Sequence, residues 1–166
     1  MVEIIGVSTW MLAALRWGDW RNIHRYYGTI LYFIFFDLLY YYITYDHRLW
    51  SLAPTPPLKY ELVCLAGEFI VFACTILIFI GRYPADSFIS LRWTALWVLI
   101  YTLNEWILLQ TGTMVYTNGW TLFHSFLFCI MMFTFLRLHF KKPILTLLIS
   151  IPIPAILIII FSIPLK

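Results

Sequence analysis

Long apolar runs broken by short polar clusters organise this chain. A helix needs about 20 mostly apolar residues to cross a bilayer whose hydrocarbon core is about 30 Å thick. Five stretches reach or approach that length, near residues 26–44, 62–80, 93–110, 120–136 and 144–163. The interruptions between them are strong helix-ending signals. Asp46-His47-Arg48 and Pro54-Thr55-Pro56-Pro57 separate the first two stretches, and Gly81-Arg82-Tyr83-Pro84 closes the second. Asn118-Gly119 reads as a tight turn between the third and fourth, and Lys141-Lys142-Pro143 closes the fourth. The pattern predicts an all-α integral membrane bundle of five transmembrane helices, residues 1–166 forming one membrane domain.

The first 25 residues stand apart. Residues 4–15 are apolar but too few to cross comfortably, and Glu3 precedes them while Arg16 follows, the reverse of a signal peptide. Trp10, Trp17 and Trp20 beside Arg16 and Arg21 suit a helix lying at headgroup level. An N-terminal interfacial helix is therefore the expectation, with a sixth, short span as the alternative. In the last span Pro152 and Pro154 each remove a helical donor, and a kink near Ser150 follows.

Composition agrees with the pattern and narrows the classes. Of the 166 residues, 63% are hydrophobic, 20% aromatic and only 11% charged, and the mean hydropathy is +0.87. Soluble domains sit near 45–50% apolar and about 25% charged. A soluble enzyme, a disordered tail, a secreted disulfide scaffold and a nucleic-acid-binding domain are all excluded, and the lipid bilayer is the first partner. Lys and Arg are distributed unevenly. Arg16, Arg21, Arg25, Arg82, Arg92, Arg137, Lys141 and Lys142 fall in segments that alternate with those holding Arg48, Lys59 and Lys166. By the positive-inside rule the N-terminus is cytoplasmic and the C-terminus outside.

Ionisable groups at membrane depth are costly, about 2.5–3.5 kcal/mol each at a helix centre on the insertion scale. Asp37, Glu68 and Glu105 fall within the first three spans, and His124 falls within the fourth. Helical phase lets these faces converge. Asp37 aligns with Tyr40 and Tyr41, Glu68 with Cys64, Glu105 with Tyr101 and beside Asn104, and His124 with Thr121 and Phe128. The expected site is an outward-facing polar cavity with Asp37, Glu68, Glu105 and His124 as ligands or proton relay, oriented by Asn104, Tyr41 and Thr121. The competing reading is a network of hydrogen bonds that only holds helices together. No spacing fixes a metal: there is no HExxH, no Cys pair and no i,i+4 His pair.

The remaining polar and aromatic residues read as interfacial. His24, His47 and His139 flank spans beside Arg or Lys, and the Tyr40–Tyr45 cluster with Trp50, Trp93, Trp106 and Trp120 suits an aromatic belt. The three cysteines, Cys64, Cys74 and Cys129, are an odd number at membrane depth and argue against disulfides.

The strings His24-Arg25-Tyr26-Tyr27-Gly28-Thr29-Ile30-Leu31-Tyr32, Asp37-Leu38-Leu39-Tyr40, Gly81-Arg82-Tyr83-Pro84, Asn118-Gly119-Trp120 and Leu136-Arg137-Leu138-His139-Phe140-Lys141-Lys142-Pro143 resemble an uncharacterised family of small polytopic membrane proteins from Gram-positive spore-forming bacteria. The resemblance covers most of residues 10–145 and fades in the last span. It implies a bacterial plasma membrane and no established activity, cofactor or site residue.

Three functions follow as expectations. The leading one is binding or movement of a proton, cation or small solute by the polar cavity; five helices are few for transport, which would call for a homo-oligomer. The second is a membrane-embedded enzyme acting on a lipid-linked substrate, with Glu105 and His124 as an acid–base pair or His124 and two carboxylates holding a metal. The third is a non-catalytic partner subunit of a larger membrane complex.

Overall fold

The computed structural model describes residues 2–53 and 59–164. The Pro54–Pro57 cluster and Lys166, both used in the sequence reading, lie outside the described residues. Six helices follow in order: α1 (Val2–Trp17), α2 (Ile23–Ile43), α3 (Tyr60–Phe79), α4 (Ser87–Gln110), α5 (Leu122–Lys141) and α6 (Pro143–Ile160). Three of them, α3, α5 and α6, are long and apolar enough to cross a membrane. α2 and α4 are 21 and 24 residues long. Their tyrosines and tryptophans, with Asp37, Asn104 and Glu105, dilute the aliphatic content of both.

The punctuation in the sequence acts as expected at several ends. Asp86 caps α4 by accepting from the Ile89 amide at 2.9 Å. Asn118 and Gly119 both adopt positive φ, 52° and 82°, in the turn before α5. α6 is divided at Ile151 into Pro143–Ser150 and Pro152–Ile160. At that division the Ser150 hydroxyl donates to the Thr146 carbonyl at 2.7 Å and pairs with the Tyr32 hydroxyl of α2 at the same distance. The proline-bearing segment is thereby tied to the bundle through a serine.

Between the elements lies a small ribbon that periodicity did not predict. β1 (Trp50–Leu52) pairs antiparallel with β2 (Met114–Tyr116), Trp50 opposite Tyr116. The segment before α3 and the segment before α5 thus meet at one end of the bundle. Tyr40 braces this end. Its hydroxyl accepts from the Leu49 and Trp50 amides and donates to the Trp50 carbonyl, while its ring stacks on Trp50 at 3.7 Å. Trp50 and Trp120 face inward, and the Trp93 indole donates to the Phe79 carbonyl at 3.0 Å. Those three tryptophans are internal fittings rather than members of a belt.

The opposite end gathers the basic residues. Arg82 donates to the Trp17 carbonyl at 2.7 Å, and the Arg137 guanidinium lies 4.1 Å from the Tyr83 ring centroid. Inside this end the helices are filled solidly. Leu77, Ile76, Phe79 and Phe133 are fully buried, with Leu136 and Trp97 nearly so, and Phe133 meets Phe79, Trp97 and Tyr101 at centroid distances of 4.9, 5.9 and 5.0 Å.

α1 does not stand apart on the surface. It packs along α3, with Ala14 fully buried and Trp10 set against Trp97 and Tyr101 of α4. Its Trp17 end is fixed at the basic end, where the Asp19 amide donates to the Leu77 carbonyl at 3.1 Å. Gly81 permits that approach, since a Cβ there would come within 2.9 Å of the Asp19 side chain. The Val2 end reaches the level of Cys64 and Glu68. Ala14 and Trp10 form its contact with the bundle, while Trp17 stays half exposed at its end.

His139 also departs from expectation. It is buried, not interfacial: its Nδ1 pairs with the Thr29 hydroxyl at 3.1 Å and its ring stacks on Tyr32 at 4.2 Å. A histidine near a helix end is drawn inward here because α2 offers it a hydroxyl and an aromatic face.

Candidate functional site: an acidic cavity

Towards the ribbon end the same helices part around a cavity of about 270 Å³. Each element contributes through its own spacing. α2 brings Asp37 and Tyr41, one turn apart on one face. α4 brings Tyr101, Asn104, Glu105 and Leu108, and α1 brings Glu3, Gly6, Val7 and Trp10 at i, i+3, i+4 and i+7. Trp50 of β1 and Met114 of β2 add to its wall from the ribbon.

α3 contributes through a local change of helix type. Gly67–Val71 forms a π-helical turn, with the Phe72 amide reaching back to the Gly67 carbonyl. Such turns insert a residue into the helical repeat and recur at functional sites. The one here carries Glu68, which is 3% exposed and lines the cavity. Its Oε2 atom is buried with no hydrogen-bond partner. Cys64 precedes it by one turn, and its thiol reaches the Tyr41 hydroxyl at 3.9 Å. Asp37 and Glu68 line the same cavity from facing helices.

Glu105 is held differently. Its Oε1 accepts from the Tyr116 hydroxyl at 2.7 Å and from the Ser125 hydroxyl at 2.6 Å. Ser125 in turn accepts from the Trp120 indole at 2.7 Å. Tyr116 lies on β2, outside the spans, and burial pushes its phenol up, so it stays protonated and available to donate. Glu105 is a positioned acceptor, whereas Glu68 is an open one.

Five of the seven candidate residues, Asp37, Tyr41, Glu68, Asn104 and Glu105, therefore line one cavity, and Thr121 and His124 do not. Those two form a capping box at the start of α5. The Thr121 amide donates to His124 Nδ1 at 3.1 Å, and the two side chains pair at 2.8 Å. The His124 ring lies among Trp120, Phe123 and Phe161. The helical phase chosen from sequence is off by one position, about 100° of rotation. The cavity face of α5 carries Ser125, Phe128, Cys129 and Met132 instead.

The residues that sequence reasoning missed are Glu3, Trp10, Ser125, Tyr116 and Trp120. Glu3 and Trp10 carried a usable signal, being seven apart on a helix of apolar neighbours. Ser125 and Tyr116 carried none, because a single hydroxyl in an apolar stretch marks no site by itself.

Among the described residues no three His, Cys, Asp or Glu groups stand together as a metal-holding set. The cysteines are free and buried. Comparison with protein-family models, with curated proteins and with solved structures finds no match to this chain.

Proposed function

We propose that this chain is a bacterial plasma-membrane protein whose internal acidic cavity binds, and in an assembly of copies moves, a proton, cation or small solute. The observation that carries this reading is Glu68: a carboxyl on a π-helical turn, buried against the cavity, with one oxygen lacking any partner. Other buried atoms also lack a partner, Trp97 Nε1 and Arg137 Nε among them, but Glu68 alone of these residues lines the cavity, where a bound ligand can offset the roughly 1–3 kcal/mol that an unmade buried hydrogen bond costs.

α2 and α4 join α3, α5 and α6 as crossing helices in this reading. At about 1.5 Å per residue their 21 and 24 residues exceed the roughly 30 Å core. The clustering of Arg82, Arg137 and the Trp17 end supports a cytoplasmic basic end. The ribbon and the cavity then face outward, and α1 runs from Val2 at cavity depth to Trp17 at the cytoplasmic end, so that in this reading the N-terminal end of the chain lies within the bundle and not in the cytoplasm. The resemblance to membrane proteins of spore-formers supports the bacterial setting. The enzyme reading draws no support from His124, which caps α5 while Glu105 is engaged by Tyr116 and Ser125.

The test uses protein in lipid nanodiscs, melted across pH and across a panel of cations and small polar solutes, beside Glu68→Gln. A stabilisation by pH or solute that the variant loses while still eluting as a folded particle is the expected result. Superimposable melting behaviour of the two proteins across the whole panel overturns the reading.

A further inference from the structure

The cavity is built unlike a site for a bare inorganic ion. Protein oxygens touch such ions directly, at about 2.0–2.6 Å for the common divalent cations. Here the space is about 270 Å³, and among the described residues no metal-holding set exists. Volume alone would admit a hydrated ion, but the walls would gain nothing from one. They are aromatic: Trp10, Tyr41, Trp50, Phe72, Tyr101 and Trp120 all line the space.

Charge completes the argument. Glu3, Asp37, Glu68 and Glu105 line the cavity, and no described Lys, Arg or His does. An anionic ligand would be repelled. A neutral apolar one would bury the Glu68 carboxyl, already 3% exposed with its Oε2 unpartnered, without answering its charge. A cation with an apolar coat answers both features. Its charge meets carboxylates, and its alkyl groups lie on ring faces whose quadrupole attracts positive charge within about 6 Å. Alkylation also lowers the cost of leaving water, which a compact inorganic cation does not escape.

We propose that the ligand of this cavity is a small organic ammonium ion, a quaternary or alkylated amine, held by Glu68 and Asp37 against the aromatic wall. The proposal rests on the cavity being a ligand site and deepens that reading by naming the ligand's class.

Trp10, Trp50 and Trp120 make the site self-reporting, so tryptophan fluorescence of nanodisc-embedded protein reads occupancy. The probes are choline, tetramethylammonium, potassium at matched ionic strength, and 3,3-dimethylbutan-1-ol, the neutral isostere of choline. Saturable changes with choline and tetramethylammonium are expected, with the neutral isostere and Glu68→Gln each weaker by about tenfold or more. Tyr41→Phe retains binding and Tyr41→Leu weakens it, because the ring rather than the hydroxyl contributes. Should Glu68→Gln fail to elute as a folded particle, Asp37→Asn serves the same comparison. Saturation by potassium at concentrations equal to or below those of choline overturns the organic-ammonium assignment and leaves the cation-binding reading standing. No saturable response to any cation from folded protein overturns the assignment; if pH also leaves the melting curves of wild type and Glu68→Gln superimposed, the wider reading falls with it.

Discussion

The basic end and the ribbon end of this bundle are made from the same four helices, yet one is solid and the other hollow. At the basic end α3, α4 and α5 bring Phe79, Trp97 and Phe133 into mutual ring contact. Towards the ribbon those helices, with α2, present Glu68, Glu105, Ser125 and Asp37 to a cavity instead. In a bilayer the solid half supplies the packing that helix association depends on, since lipid tails are as apolar as the side chains. Partnerless buried atoms occur in both halves, Trp97 Nε1 and Arg137 Nε in the solid one and Glu68 Oε2 in the hollow one, but only the last belongs to a residue that lines the cavity. Stability and chemistry occupy different depths of one set of helices.

The comparison breaks first at Phe133. Phe133→Ala opens a void among Phe79, Trp97 and Tyr101 and is expected to lower stability by about 3–5 kcal/mol, measured by unfolding in mild detergent. Equal sensitivity at Glu68→Gln would erase the division between halves. Ser125→Ala comes next. It leaves the Trp120 indole and one of the two Glu105 contacts unmade, and a loss of about 1–3 kcal/mol is expected, followed by the same unfolding assay. A smaller loss would mean that water replaces the serine hydroxyl and that the hollow half is wetter than its walls suggest. Thr121→Ala removes the α5 cap for about 1 kcal/mol and should leave choline titrations of the cavity unchanged. An altered binding curve would return Thr121 and His124 to the site.

The smallest effect is a pH dependence at the α1–α2 corner. Asp19 accepts from the Tyr26 hydroxyl at 2.6 Å and from the Asn22 amide at 3.0 Å, and these bonds, Tyr26 foremost, hold its carboxyl below the ordinary aspartate value. A folded-state pKa below the unfolded one means the contribution is present above the unfolded value and lost as pH falls through the folded one. Melting temperatures of wild type and Asp19→Asn should thus converge below about pH 4. Since Asp19 sits near solvent, the gap at neutral pH is modest; a gap that widens in acid would contradict the assignment.

Much of this division is written in the sequence, and the unreadable parts have physical causes. The apolar runs and their Gly, Pro and Asn-Gly breaks locate α2 to α6 to within about six residues at their ends, because long apolar runs between short polar breaks leave few other places for a helix to start or stop. Asp37, Glu68 and Glu105 stand out too, being costly wherever they are. What periodicity does not carry is rotation about the helix axis. His124 and Ser125 are neighbours in the chain, and only packing decides which one meets Glu105. The π-helical turn at Gly67–Val71 is equally silent, since its residues Gly-Glu-Phe-Ile-Val would serve an ordinary helix. The tryptophans of α1 suit an interface and an aromatic core alike, and only Trp97 and Tyr101, far along the chain, give Trp10 its partners. The β1–β2 ribbon depends on two three-residue segments too short to announce themselves.

That ribbon also sets an order of events. Trp50–Leu52 emerges from the ribosome long before Met114–Tyr116, and the intervening chain must thread α3 and α4 before the strands can meet. Trp50, Met114 and Trp120 all line the cavity, so its wall is complete only after most of the protein has been synthesised. Until then Glu68 and Asp37 belong to an unfinished chamber.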